Sequence, residues 1–313
     1  VAVVTTTPEV GLPAPLVASV ADLPAAVAAA LAEPSAPRSG RVAAAGIAWA
    51  TVEWGDPADR PVLLVHGVTS SSATWWRVGP ALAAGGFRVV AVDQAGHGAT
   101  GTWLGHHRFA DNAADVAAFV RAAGLARADL AVVGHSWGAL TVAALPSVGI
   151  RPAVLVLVDP PAVPRDVIAE MLESPTERRY DDLDDAVRAV RTANPTWTEG
   201  DVIAKARALT EFDEQAVRDV LLDNDWDGGL AGLADPAARD VPVWVIRGEP
   251  AAGSYVAAAA VPAVASRVGP ARLVTIAGGP HSPQRTHPEA TLIALLRALD
   301  GSKVAGLADP DRD

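Results

Sequence analysis

Between Ala131 and Leu140 the chain reads AVVGHSWGAL, an apolar run ending on a serine with a glycine two positions to either side. A polar Ser136 at the end of such a run marks either a simple turn or a turn built to present its hydroxyl. Gly134-His135-Ser136-Trp137-Gly138 fits the G-x-S-x-G spacing, in which a strand turns sharply into a helix. Glycines at those places leave room for a strained backbone at the serine and for close packing of helix on strand. The pentapeptide alone recurs by chance, so its flanks decide. LAVV before it reads as a strand and ALTVAAL after it as a helix. That arrangement lifts the hydroxyl to the edge of a sheet at the amino end of a helix, where developing negative charge is favoured.

The same rhythm extends outward. PVLLVHG (61–67), FRVVAVD (87–93), AVLVLVD (153–159), VPVWVIRG (241–248) and RLVTIAG (272–278) are short, β-branched and almost wholly apolar. Helical stretches such as ADNAADVAAFVRAAG (110–124) separate them, with apolar residues at three- and four-residue steps. Continuous apolar strands alternating with helices imply a mostly parallel sheet covered on both faces. RVAAAGIAWATVEW (41–54) reads as two further strands around a tight turn at Gly46. From about Pro160 to Asp240 no strand-like run occurs, and PRDVIAEMLES, DDLDDAVRAVRTAN, TEGDVIAKARALT and DEQAVRDVLLDN read as helices. The expected organisation is an Ala/Pro-rich N-terminal arm (1–40) with one helix, a core (41–160 and 241–300), an inserted helical cap (161–240) and a frayed tail (301–313). The cap would lie over the carboxyl edge of the sheet, where open α/β sheets bind ligands.

These features resemble the α/β-hydrolase superfamily over almost everything from Arg41 to Leu299. The resemblance implies a mostly parallel eight-stranded sheet flanked by helices. LLVHGVTSSSATWW (63–76) is similar to the family's His-Gly oxyanion segment, which makes the backbone N–H groups of Val68 and Trp137 the expected oxyanion hole. VVAVDQAGHGAT (89–100) is similar to its Asp-x-x-Gly-x-Gly loop, with Ala95 where many relatives carry arginine, and Asp93 and His97 are expected to order that loop. By the same likeness His281, after the last strand and a Gly-Gly-Pro turn, is the expected base. His287 opens the final helix and is expected at the surface.

The acid departs from the family pattern. Many relatives place an aspartate three residues after the glycine that ends the seventh strand, and here that residue is Ala251. Two carboxylates stay open, Glu249 beside Pro250 and Asp159 at the end of the sixth strand, with Glu249 favoured. The elbow is also similar to that of haloalkane dehalogenases, in which an aspartate stands at the nucleophile position. Ser136 removes carboxylate attack and with it the alkyl-enzyme route to haloalkane or epoxide hydrolysis.

Nine tryptophans accompany only four phenylalanines. Trp75 and Trp76 follow the oxyanion segment, Trp103 lies after the fourth strand, and Trp197 and Trp226 belong to the inserted helices. With His66, the tryptophans at 75, 76, 103 and 197 are candidate substrate-binding residues, which implies a hydrophobic small molecule, aromatic or macrocyclic. The reaction expected is cleavage of an ester or lactone through an acyl-enzyme on Ser136, without cofactor or metal. Acyl transfer, thioester cleavage and carbon–carbon hydrolysis share the fold, and a ligand receptor without turnover is the rival that Ala251 favours. His106 and His107 lack a third ligand in view and read as loop residues.

Composition narrows the remainder. The net charge of −11 argues against nucleic acid or an anionic membrane as partner. There is no cysteine, which excludes disulfides and thiol chemistry. No apolar run is suited to a bilayer and no signal peptide is read, so a cytoplasmic location is expected, with secretion left open if a leader was trimmed. A monomer and a homodimer are both compatible with these features.

Overall fold

The computed structural model describes residues 11–300 other than 107, 227–229, 231, 232 and 234. The expected tail, the first ten residues of the arm and His107 lie outside the described residues. The strands are β1 (Arg38–Ala44), β2 (Ile47–Trp54), β3 (Arg60–Val65), β4 (Phe87–Val92), β5 (Ala131–His135), β6 (Val154–Val158), β7 (Val243–Arg247) and β8 (Leu273–Thr275). They form one eight-stranded sheet in the order β1-β2-β4-β3-β5-β6-β7-β8. β1 with β2 and β2 with β4 are antiparallel, and every other pair is parallel.

Side-chain alternation divides the core into two layers. Leu63, Val65, Val132, Leu155, Leu157 and Val245 point to one face, against α3 (Phe109–Ala122), α4 (Trp137–Ala143) and α9 (Val261–Val268). Val62, Leu64, Val133, Val156, Val158 and Ile246 point to the other, against α1 (Ala25–Ala32), α2 (Val78–Ala84) and α11 (Pro288–Leu299). Both faces are covered, which is why these strands read as unbroken apolar runs. Each fully buried Val or Leu contributes about 1.5–3 kcal/mol.

The arm is docked. α1 buries Val27 and Leu31. Upstream of it, Leu16 donates its N–H to Thr275 O at 2.7 Å and accepts from Ala277 N at 3.0 Å, which lays this stretch along the outer side of β8. The expected core boundary at 41 also falls late, because Arg38 to Gly40 already pair in β1.

Between β6 and β7 come α5 (Arg165–Ala169), α6 (Leu183–Ala193), α7 (Glu199–Glu211) and α8 (Glu214–Asp223). The last three open on side-chain caps: Asp182 accepts from Asp185 N, Thr198 from Asp201 N, and Asp213 from Gln215 N and Ala216 N. Their apolar residues Val190, Val202, Leu209, Val217 and Leu221 form a third cluster with Val68, Trp137 and Leu140. The inserted helices therefore pack directly over the serine turn. The short α10 (Pro283–Thr286) follows β8 and faces them. Among the described residues no helix is long and apolar enough to cross a membrane.

Candidate active site

Ser136 stands between β5 and α4 with φ 55° and ψ −124°. A non-glycine residue held there costs about 1–3 kcal/mol, and the surroundings must enforce it. The flanking glycines do so by absence. A Cβ on Gly134 would stand 2.4 Å from Gly138 O, and one on Gly138 would stand 2.4 Å from His66 O and 2.6 Å from Val65 O. Strand and helix backbones touch there, and no side chain fits between them.

Ser136 Oγ lies 3.0 Å from His281 Nε2, and His281 Nδ1 lies 2.7 Å from Asp159 Oδ2. A carboxylate only accepts, so the neutral ring carries its proton on Nδ1 and offers Nε2 to the serine hydroxyl. Ser136 is 4 % exposed and Asp159 fully buried. Asp159 also accepts from Gly248 N (2.9 Å), Ser254 Oγ (2.5 Å) and Tyr255 N (2.8 Å). These donors satisfy the buried carboxylate oxygens and fix their direction. The His281 ring has two tilted ring neighbours, Tyr255 at 4.2 Å and His135 at 4.9 Å between centroids.

The expectation that favoured Glu249 is corrected: Asp159, not Glu249, meets the imidazole. β7 lies between β6 and β8, and the His281 loop passes directly over its end, where a Cβ on Gly248 would strike Gly279 O at 2.1 Å. Glu249 donates its backbone N–H to Gly279 O at 2.8 Å, which ties the strand end to that loop. The chain then returns through Ser254 and Tyr255 to support the Asp159 carboxylate.

Val68 and Trp137 share one apolar cluster at the serine turn. Trp137 opens α4, so its N–H has no intrahelical acceptor. The N–H of Val68 meets no acceptor among the described residues. Val68, Ser136 and His281 line one cavity of about 200 Å³.

Of the candidate binding residues, only Trp197 lines that cavity. His66 is a brace: Nδ1 donates to Gly67 O at 2.7 Å and Nε2 accepts from Gln94 N at 3.0 Å. Trp75 is buried under the sheet beside α2. Trp76 donates to Asp201 Oδ1 at 3.0 Å, and Trp103 to Asp219 Oδ2 at 3.3 Å, so both tie the core to the inserted helices. Trp226 packs edge-on against Phe109. Asp93 orders its loop as expected, accepting from Ser72 N at 2.7 Å and Ala99 N at 2.9 Å. His106 pairs with Asp115 at 2.8 Å, and no group of three or more potential metal ligands occurs among the described residues.

The tryptophans expected around the substrate are thus mostly elsewhere, and the cavity lining mixes apolar with charged and polar residues. Ser70, Thr176, Glu177, Asn194, Lys205 and Arg285 line the cavity beside Trp197 and Met171. Lys205 was legible in principle: on α7 it shares a face with Val202 and Leu209, a cation on an apolar stripe. Arg285 carries no such signal, since its helix has a single turn.

A family model described as the alpha/beta hydrolase family matches residues 62–295. The chain belongs to the α/β-hydrolase family. This α/β hydrolase is 30% identical over 262 residues to the 2-(acetamidomethylene)succinate hydrolase of Mesorhizobium japonicum, a match covering 76% of this chain and 87% of that protein. It is 39% identical over 80 residues to epoxide hydrolase B of Mycobacterium tuberculosis, 25% of this chain and 22% of that one. Its fold is also similar to a crystal structure of E-2-(acetamidomethylene)succinate hydrolase, with TM-score 0.70, 24% identity, and coverage of 84% and 99% of the two chains. All three relatives bear the names of hydrolases.

Proposed function

We propose that this α/β hydrolase cleaves an acyl bond, an ester or lactone in its simplest form, through an acyl-enzyme on Ser136. The observation that carries this reading is the unbroken hydrogen-bonded chain Asp159–His281–Ser136. His281 Nε2 takes the serine proton as Oγ attacks the carbonyl carbon. Asp159 keeps the ring in the reactive tautomer and balances the imidazolium that forms. The N–H groups of Val68 and Trp137 receive the oxyanion, and losing one such donor typically costs about 2.7–4 kcal/mol of transition-state stabilisation. His281 then returns its proton to the leaving group and activates the water that releases the acid.

The receptor alternative rested on the missing acid at Ala251, and Asp159 on the imidazole removes its support. A cavity of about 200 Å³ lies below the 300–1,000 Å³ of drug-sized pockets, which favours a small substrate over a macrocyclic one.

A fluorophosphonate probe is expected to label the protein, and Ser136→Ala to abolish both the label and 4-nitrophenyl acetate turnover. Absence of labelling in folded wild-type protein overturns the reading. A panel of oxygen esters, lactones and thioesters then ranks the acyl bonds by kcat/KM.

A further inference from the structure

Beyond the triad, the wall of the cavity holds an unusual density of buried charge. Lys205 on α7 is 6 % exposed and donates to Glu177 Oε2 (2.8 Å), Thr69 Oγ1 (2.9 Å) and Thr69 O (3.1 Å). Arg77 pairs with Asp201 Oδ2 at 2.7 Å. Arg285 on α10 is 5 % exposed and has no carboxylate of its own among the described residues. It meets Asp201 only at the backbone carbonyl, from Nη1 at 3.3 Å, and otherwise donates from Nε to Thr74 Oγ1 at 3.1 Å and from Nη2 to Ser70 Oγ at 3.4 Å.

The balance is simple. Lys205 pairs with Glu177 and Arg77 with Asp201, which leaves Arg285 as a buried cation with no salt-bridged carboxylate among the described residues. An isolated buried charge is costly, and burial accordingly lowers the pKa of Arg285 from its ordinary value, against the pull of Asp201 and Glu177. Arginine nevertheless keeps its proton in proteins, so the charge is real. Each terminal nitrogen carries two N–H groups and spends one, so one donor on Nη1 and one on Nη2 stay unused. Two N–H groups on adjacent nitrogens match the two oxygens of a carboxylate. The plane is held by Trp197, whose ring centroid lies 4.6 Å from the guanidinium carbon. Arg285, Trp197 and Ser70 line the same cavity as Ser136 and His281.

We propose that Arg285 forms a carboxylate subsite, so that the acyl substrate of this enzyme is a small anion whose carboxylate neutralises the guanidinium while its carbonyl lies at Ser136. The specificity part rests on the serine-hydrolase reading above; the anion subsite itself does not. Ser70 Oγ, already bound to Arg285, offers its own proton to the same anion. Glu177 faces the cavity too, but its charge is engaged by Lys205 and its carboxylate lies against the Thr69 hydroxyl.

The test separates binding from turnover. Thermal unfolding of the wild-type protein is followed with glutarate, with the uncharged glutaramide, and with sodium chloride at equal ionic strength. Glutarate is expected to raise Tm by about 2 °C or more, and the other two by less than a quarter of that. It is also expected to compete with 4-nitrophenyl acetate at least tenfold more strongly than glutaramide. In Arg285→Gln the glutarate shift disappears, and in Arg285→Lys part of it returns. Equal shifts from glutarate and glutaramide, or a full glutarate shift in Arg285→Gln, overturn the subsite. Should Arg285→Gln not fold, the wild-type comparison and Arg285→Lys decide. A glutarate shift in protein whose Ser136 resists fluorophosphonate keeps the subsite and overturns the hydrolase reading alone.

Discussion

Asp159 receives four donors on two oxygens, and it does so with φ at 43°, in the left-handed region that aspartate tolerates better than most residues. Both facts belong to its task, since a carboxylate so held cannot swing away from His281. Asp159→Asn keeps the shape but offers an amide where the imidazole needs an acceptor. Ester turnover is expected to fall by up to about 10⁴-fold in kcat, as for triad orienters generally. Glu249→Ala is expected to stay within about threefold of wild type, because only its backbone is engaged. Steady-state kinetics on 4-nitrophenyl acetate distinguish the two. Sequence named both carboxylates and could not rank them correctly. The ranking depends on where the His281 loop crosses the strand ends, and that crossing is set by contacts between Gly248 and Gly279, distant in the chain. Motif position placed Ser136 and His281 because each follows a strand whose identity is written locally, Ser136 directly after β5 and His281 after the turn beyond β8.

At the scale of elements, the strand-to-helix turn is a rigid joint. β5 and α4 are pressed together at Gly134 and Gly138, and α4 is in turn pressed onto the end of β3. Gly138→Ala must force these backbones apart, with an overpacking cost of about 1–3 kcal/mol. Chemical denaturation is expected to show that loss, and the displaced Ser136 to lower fluorophosphonate labelling far more than the lost stability explains. Element by element, the strands were legible because burial on both faces leaves an apolar signature that needs no partner to be seen. The tryptophans were not. A large side chain near a motif reads alike whether it lines a cavity or bridges two layers. Trp76 and Trp103 bridge layers, through Asp201 and Asp219 on the inserted helices. The charged side chains of the cavity escaped for a related reason: Arg285 and Lys205 meet only once α7 has folded back over α10.

At the scale of the molecule, three neutral imidazoles are locked inside. Burial depresses His66 to about 4 and His97 to about 3, and holds His135 well below its ordinary value. Each ring binds a proton more readily in the unfolded chain, near 6.5, than in the folded one. Protons therefore favour unfolding: the stability these rings contribute is present above about pH 6.5 and is lost as the pH falls toward 4. The slope is at most about 1.4 kcal/mol per pH unit for each ring. Protonating His66 would also cost the hydrogen bond from Gln94 N, since Nε2 could no longer accept. Urea titrations at pH 7.5, 6.0 and 5.0 are expected to show a midpoint that drops steeply below pH 6.5. An unchanged midpoint at pH 5.0 would contradict the assignment of these rings as neutral.

The stretch around Leu16 that runs beside β8 gives the molecule one more property. β8 is only three residues long, and without Leu16 its outer peptide groups would stand open to any extended chain that came by. Cleaving the protein ahead of α1 would remove that stopper within a few residues of the segment that carries His281. Proteolysis at this end would thus bare a sheet edge close to His281, although no residue that lines the cavity around Ser136 had been cut.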